Sequence, residues 1–200
     1  MKQYNVFPEF NVDTNLVGYL LGGYPKHKSS CNEVVKAVNN TDQFAIGIID
    51  ADKRMATMDE GFEQYKPTVE VDGSSRHIAM FIHRDGKRFL FTVKPAMDKF
   101  ILDAAIAEGV DLEAAGYDST LDGFKRETKR IQAATDPKLR RLFDLIAGYP
   151  ELQCLRNTLK FLMNKQYEAD TETAKAFFDG KLTSSDLTQI LTPSPSGPSR

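Results

Sequence analysis

The chain has 200 residues, 41% of them apolar and including 13 Phe and 7 Tyr, enough for one domain with a sizeable core. Basic residues number 26 and acidic residues 28, a formal charge of −2, so there is no global basic field and any contact with nucleic acid must use a local patch. No stretch approaches the roughly 20 apolar residues that span a bilayer, the N-terminus lacks the apolar run of a signal peptide, and Cys31 and Cys154 have no CxxC spacing. The expectation is a cytoplasmic protein with no membrane partner and no zinc site.

The first part, residues 1–110, alternates strands with helices. Gln3 to Glu9 reads as a strand. Asp13-Thr14-Asn15 supplies capping chemistry for a helix through Leu16, Val17, Leu20 and Leu21, stopped by Gly22-Gly23. Ser29-Ser30 precedes Glu33, Val34, Val35 and Val38, a second capped helix. The run from Phe44 to Asp50 is continuously apolar until its end, the pattern of a strand buried on both faces. Residues 53 to 75 are polar and irregular. His77 to His83, a turn at Asp85-Gly86, and Arg88 to Val93 form a hairpin. Lys94-Pro95-Ala96-Met97-Asp98 opens another helix, with the proline expected in its first turn.

The second part, residues 111–191, shows no strand pattern. Ser119 to Ala134, Pro137 to Ala147, Glu151 to Tyr167, Thr171 to Phe178 and Thr183 to Leu191 read as helices, and Leu152, Leu155, Leu159 and Leu162 form one apolar stripe. These helices make a cap or extension on the first part. Residues 192–200, rich in Pro and Ser, are expected to be a disordered tail.

Two acidic stretches carry the chemistry. Asp50-Ala51-Asp52 ends the apolar strand, and a period of two sends both carboxylates to one side. The motif reads either as the start of a solvated loop or as a pair of ligands for a hard cation, magnesium or manganese rather than zinc. Glu9 closes the first strand and Asp13 follows four residues later. In an open α/β sheet reactive groups collect at the carboxyl ends of strands, so Glu9 and the aspartate pair can share a crevice.

Pro8-Glu9-Phe10-Asn11-Val12-Asp13 and Ile48-Ile49-Asp50-Ala51-Asp52 resemble the two motifs of the Toprim family, the catalytic domain of topoisomerases, bacterial primases and OLD-type nucleases. The resemblance covers roughly residues 3 to 105. It implies a mainly parallel sheet flanked by helices. It also implies a Mg2+- or Mn2+-dependent nuclease or related phosphotransfer enzyme, with Glu9 as general acid/base and Asp50 and Asp52 as metal ligands. Asp13 falls at the position of the first motif's aspartate, and Asp98, after Pro95, matches an acidic residue that opens a later helix in some members. OLD-type proteins often act in bacterial defence beside an ATPase partner, which the resemblance extends to this chain. The family's glycine is Phe10 here, and residues 22–28 form a loop where the family has its second strand.

Lys28, Lys53 and Lys94 are candidate phosphate contacts, each also readable as a solubilising surface residue. Lys125, Arg126, Lys129 and Arg130 put four cations on neighbouring helical turns, a nucleic-acid patch or a solvated face. His77 and His83 flank one strand about 20 Å apart, too far to share a metal, and His27 sits in a lysine-rich loop. Two rival functions remain. One is a non-catalytic Toprim-like module that binds metal, nucleic acid or a partner. The other takes Asp50-Ala51-Asp52 as the motif of a dehalogenase-type phosphatase or a glycosyltransferase. The phosphatase requires its aspartate after the first strand, and a strand and two helices precede Asp50.

Overall fold

The computed structural model describes residues 5–51, 57–67 and 76–192. A five-stranded mixed sheet, flanked by helices, has the order β1-β2-β5-β4-β3. Its strands are β1 (Val6–Pro8), β2 (Ala45–Asp50), β3 (Phe62–Tyr65), β4 (Ile78–His83) and β5 (Arg88–Val93). β1, β2 and β5 are parallel neighbours, whereas β5-β4 and β4-β3 are antiparallel. The sheet is therefore mixed, with β4 running against the other four strands. The Asp85-Gly86 hairpin turns the chain back on itself, and β3 adds to that hairpin's far side. Gly86 supplies the positive φ of 69° that this turn requires.

β2 explains how the layers form. Ile46 and Ile48 face the larger core, and Ala45 and Ile49 face the smaller one, the alternation a pleated strand imposes. On the smaller side lies α2 (Cys31–Asn39), whose N-cap Ser30 accepts from the Glu33 N–H and whose Val34, Val35 and Val38 pack on Phe7, Ala45, Ile49 and Leu90. Contact there is close enough to need a glycine: a Cβ on Gly47 would stand 2.5 Å from Leu90 Cδ1 and 2.9 Å from Val34 Cγ1.

On the larger side lie α1 (Asn11–Leu21), α3 (Met97–Ala107) and the helices of the second half. Those are α4 (Leu121–Thr128), α5 (Pro137–Leu145), α6 (Pro150–Lys165), α7 (Thr171–Phe178) and α8 (Ser184–Leu191). Among the described residues of this half there is no strand. One continuous apolar cluster runs from Val6 through Phe91 and Phe100 to Phe143, Phe177 and Leu187. Each such side chain contributes on the order of 1.5–3 kcal/mol on burial, so the two halves are stabilised as a unit.

Several boundaries differ from the sequence reading. α1 starts at Asn11, because Asp13 is not its cap: Phe10 is, and the Asp13 carboxylate reaches back to the Phe10 N–H at 3.2 Å. It stops, as expected, at Gly22 in the left-handed region, φ 64°. Residues 24–28 are not a free loop. Their N–H groups at Lys26 and Lys28 donate to the Val6 and Pro8 carbonyls (2.8 and 2.9 Å), covering the outer edge of β1. β3 lies inside the stretch read as irregular. Pro95 precedes the α3 cap residue Ala96 instead of lying in the first turn. The helix expected over 119–134 ends at Thr128. Arg130 is extended (φ −68°, ψ 148°), and a 3-10 turn, Ile131–Ala134, follows. The Pro/Ser tail expected from 192 lies, beyond Thr192, outside the described residues.

Candidate functional site

The carboxyl ends of β1, β2 and β5 lie side by side, and each delivers an acidic residue to the same end of the sheet. Glu9 follows β1, Asp50 ends β2, and Asp98 stands in the first turn of α3 after β5, while Asp13 occupies the first turn of α1. All four are buried. Glu9 Oε2 accepts from the Asp50 N–H at 3.1 Å, so residues 41 apart in sequence are joined directly. Ala96 offers α3 no side-chain cap, and the Asp50 carboxylate takes that place from the neighbouring strand, accepting from the Met97 N–H at 2.9 Å. A helix N-terminus favours an anion there, because its first N–H groups have no partner within the helix. The Thr128 hydroxyl donates to Asp98 Oδ1, tying α4 to α3.

Asp13 is the innermost member. Its side chain is 0% exposed, Oδ2 takes the Phe10 N–H, and Oδ1 has no hydrogen-bond partner among the described residues. Burial, then the Asp50 charge, push this carboxyl well above the ordinary carboxylate range. Asp98 and Glu9 push the same way, and the Phe10 N–H opposes them.

A cavity of about 470 Å³ opens over this cluster. Phe10, Asp50, Asp98, Lys99, Lys125 and Lys129 are on its walls. Lys99 is paired with Asp103. Lys125 and Lys129, one turn apart on α4 and its cap, have no ion-pair partner among the described residues. The expected four-cation patch therefore splits in two. Arg126 pairs with Asp118 at 3.5 Å and Arg130 with Glu127 at 2.9 Å, and neither lines the cavity. Lys28 lies over the Phe7 ring (5.5 Å to the centroid) and Lys94 is exposed; neither of them, nor Glu9, lines the cavity. Asp52 and Lys53 lie outside the described residues.

The donor set is all oxygen, which suits a hard divalent cation. Among the described residues no group of three His, Cys, Asp or Glu is arranged to hold an ion. Two carboxylates, Asp50 and Asp98, reach the cavity. An octahedral Mg2+ that keeps several waters needs only one or two carboxylates, so this pair fits such an ion.

Thr128, Lys99 and Phe10's exposed position were not singled out from the sequence: the packing of α4 on α3 brings Thr128 to the site, Lys99 follows Asp98 on α3, and Phe10 stands at the start of α1. A second cavity, about 560 Å³, lies between β3, the hairpin and α7; on its walls Lys175 is paired with Glu172 (2.7 Å) and His83 with Asp85 (3.1 Å). His77 is also structural, bonded to Glu151 and Asp103 at 3.0 Å each. Among the described residues no helix is long and apolar enough to cross a membrane. No family model matches the chain, and no curated protein or solved structure matches it.

Proposed function

We propose that the protein is a Mg2+- or Mn2+-dependent phosphodiesterase of Toprim-like type acting on nucleic acid. One observation carries this reading: Asp50 and Asp98 share a cavity with two lysines that lack ion-pair partners among the described residues. Acids on one wall suit a cation, and cations on the other suit a phosphate. A bound divalent ion would neutralise charge that builds on the phosphoryl oxygens during cleavage.

The chain's own residues supply binding and orientation. Lys125 and Lys129 hold the phosphate. Glu9 and the Met97 N–H fix Asp50, and the Thr128 hydroxyl fixes Asp98. Glu9 thus acts as a positioning residue through its bond to the Asp50 N–H, in place of the proton-transfer role that the resemblance implies.

The test incubates wild type with plasmid, single-stranded DNA and RNA in Mn2+ and follows melting temperature alongside. At least one substrate should be nicked or degraded, and Mn2+ should raise the melting temperature by mass action. Asp50→Asn should lose both effects. Glu9→Gln keeps an oxygen that accepts the Asp50 N–H, so it should retain cleavage within about tenfold. Abolished turnover in Glu9→Gln, with metal binding intact, would return Glu9 to proton transfer. The second reading, a binding module without turnover, is favoured by the lack of a ready three-ligand group among the described residues. It predicts the Mn2+ shift with no cleavage of any substrate.

A further inference from the structure

Phe10 contributes little to the fold where it stands. It caps α1 in extended conformation (φ −111°, ψ 174°) with no side-chain capping bond, a position that favours Ser, Thr, Asp or Asn. Its ring is 44% exposed. Yet its backbone is held from both sides: the N–H donates to Asp13 Oδ2 at 3.2 Å, and the carbonyl accepts from the Thr14 N–H and hydroxyl at 2.9 and 2.8 Å. Thr14 is in turn bonded to His27 Nδ1 at 3.0 Å. A fixed backbone thus presents an apolar ring on the same cavity wall as Asp50 and Asp98.

We infer that this cavity receives an unpaired nucleotide, with its base stacked on Phe10 and its phosphate against Lys125 and Lys129. This deepens the phosphodiesterase reading and rests on it for the role of the acids. A ring face, two lysines and a cation-binding edge match the three parts of a nucleotide: a flat base, a phosphate and the phosphate's counter-ion. About 470 Å³ holds a single small ligand, not a duplex. A base reaches the ring only if it has left its own stack, so the site selects single strands, loops or ends. Base–aromatic stacking is sequence-tolerant, because every base has a π-face.

The experiment measures binding of a single-stranded 12-mer carrying 2-aminopurine, and of its duplex, to the full chain in chelator, where cleavage is silent. Wild type should prefer the single strand and quench the 2-aminopurine. Phe10→Ala should weaken single-strand binding about 5- to 150-fold and abolish quenching, while Phe10→Trp restores both. Lys125→Gln with Lys129→Gln should weaken binding and lower the log–log salt slope by about 0.7 per lost phosphate contact. Unchanged melting temperatures exclude misfolding as the cause. The inference is overturned if Phe10→Ala binds like wild type, if the duplex is preferred, or if wild type binds neither. Cleavage that is indifferent to Phe10 overturns the inference and leaves the enzyme reading standing. Stacking without Mn2+-dependent cleavage supports the inference and sinks the enzyme reading.

Discussion

Replacing Asp13 with asparagine should stabilise the metal-free protein. The wild-type side chain is fully buried, one oxygen has no hydrogen-bond partner among the described residues, and the nearby charges of Asp50, Asp98 and Glu9 all disfavour its ionised form. Asparagine has nearly the same shape. Its carbonyl keeps the bond from the Phe10 N–H, and its amide turns the orphaned acceptor into a donor facing acidic neighbours. Relief of one buried unsatisfied polar group is worth about 1–3 kcal/mol. For a domain of this size that corresponds to a rise of about 2–12 °C in melting temperature. Urea denaturation in chelator measures the change directly, and the midpoint should move without a change in slope. Mn2+ should then stabilise Asp13→Asn less than wild type, because part of the repulsion a cation relieves is already gone. Asp13→Ala is the control, since it also strips the Phe10 N–H of its acceptor and should destabilise. A less stable Asp13→Asn in chelator would refute the picture of a self-repelling acidic cluster.

Other perturbations test separate parts of the molecule. His77 has its pKa raised above 6.5, first by the bond to Glu151 and then by that to Asp103, so its stabilisation is complete below pH 6.5 and is lost as pH rises through the folded value. Wild type should therefore lose more stability than His77→Gln as the pH is raised from 6.5, read by denaturant midpoints at each pH. Gly47→Ala drives a methyl into Leu90 and Val34 and should cost about 1–3 kcal/mol in the same assay. Thr128→Val removes the hydroxyl donor from Asp98; a loss of about 1–3 kcal/mol is expected, together with weaker Mn2+ binding by calorimetry.

The elements legible in the sequence were those with strong local signals. β2 is an unbroken apolar run, Asp85-Gly86 is a turn signal at the centre of the four-residue connection from β4 to β5, and Ser30 is a cap with an apolar helix behind it. β3 was not legible, because Phe-Glu-Gln-Tyr at a sheet edge has only partial burial at its ends and no apolar run. The start of α1 was misplaced because a phenylalanine cap has no sequence signature, whereas Asp13 resembles one. At the site, Glu9 and Asp50 were legible from strand ends, whereas Asp13 and Asp98, in the first turns of helices, were picked out only by the resemblance. The cationic wall was only half legible: four basic residues close in sequence look alike, but helical rotation turns Lys125 and Lys129 to the cavity and Arg126 to Asp118. The bond from Thr128 to Asp98 spans 30 residues, and no local pattern encodes it.

Two residues beyond Asp13, the buried Asn15 amide donates to the Ala133 and Asp136 carbonyls at 2.8 and 3.0 Å, and its oxygen accepts from Arg140 Nε at 3.1 Å. The helix that presents Phe10 is thereby fastened to the segment just after Lys129. Phe10 and Asn15 belong to one helix, so the wall that carries Phe10 is tied to the segment that follows the lysine wall. Capture should then proceed in one kinetic phase whose rate grows linearly with ligand concentration and falls with added salt, without the plateau that a hinged jaw imposes.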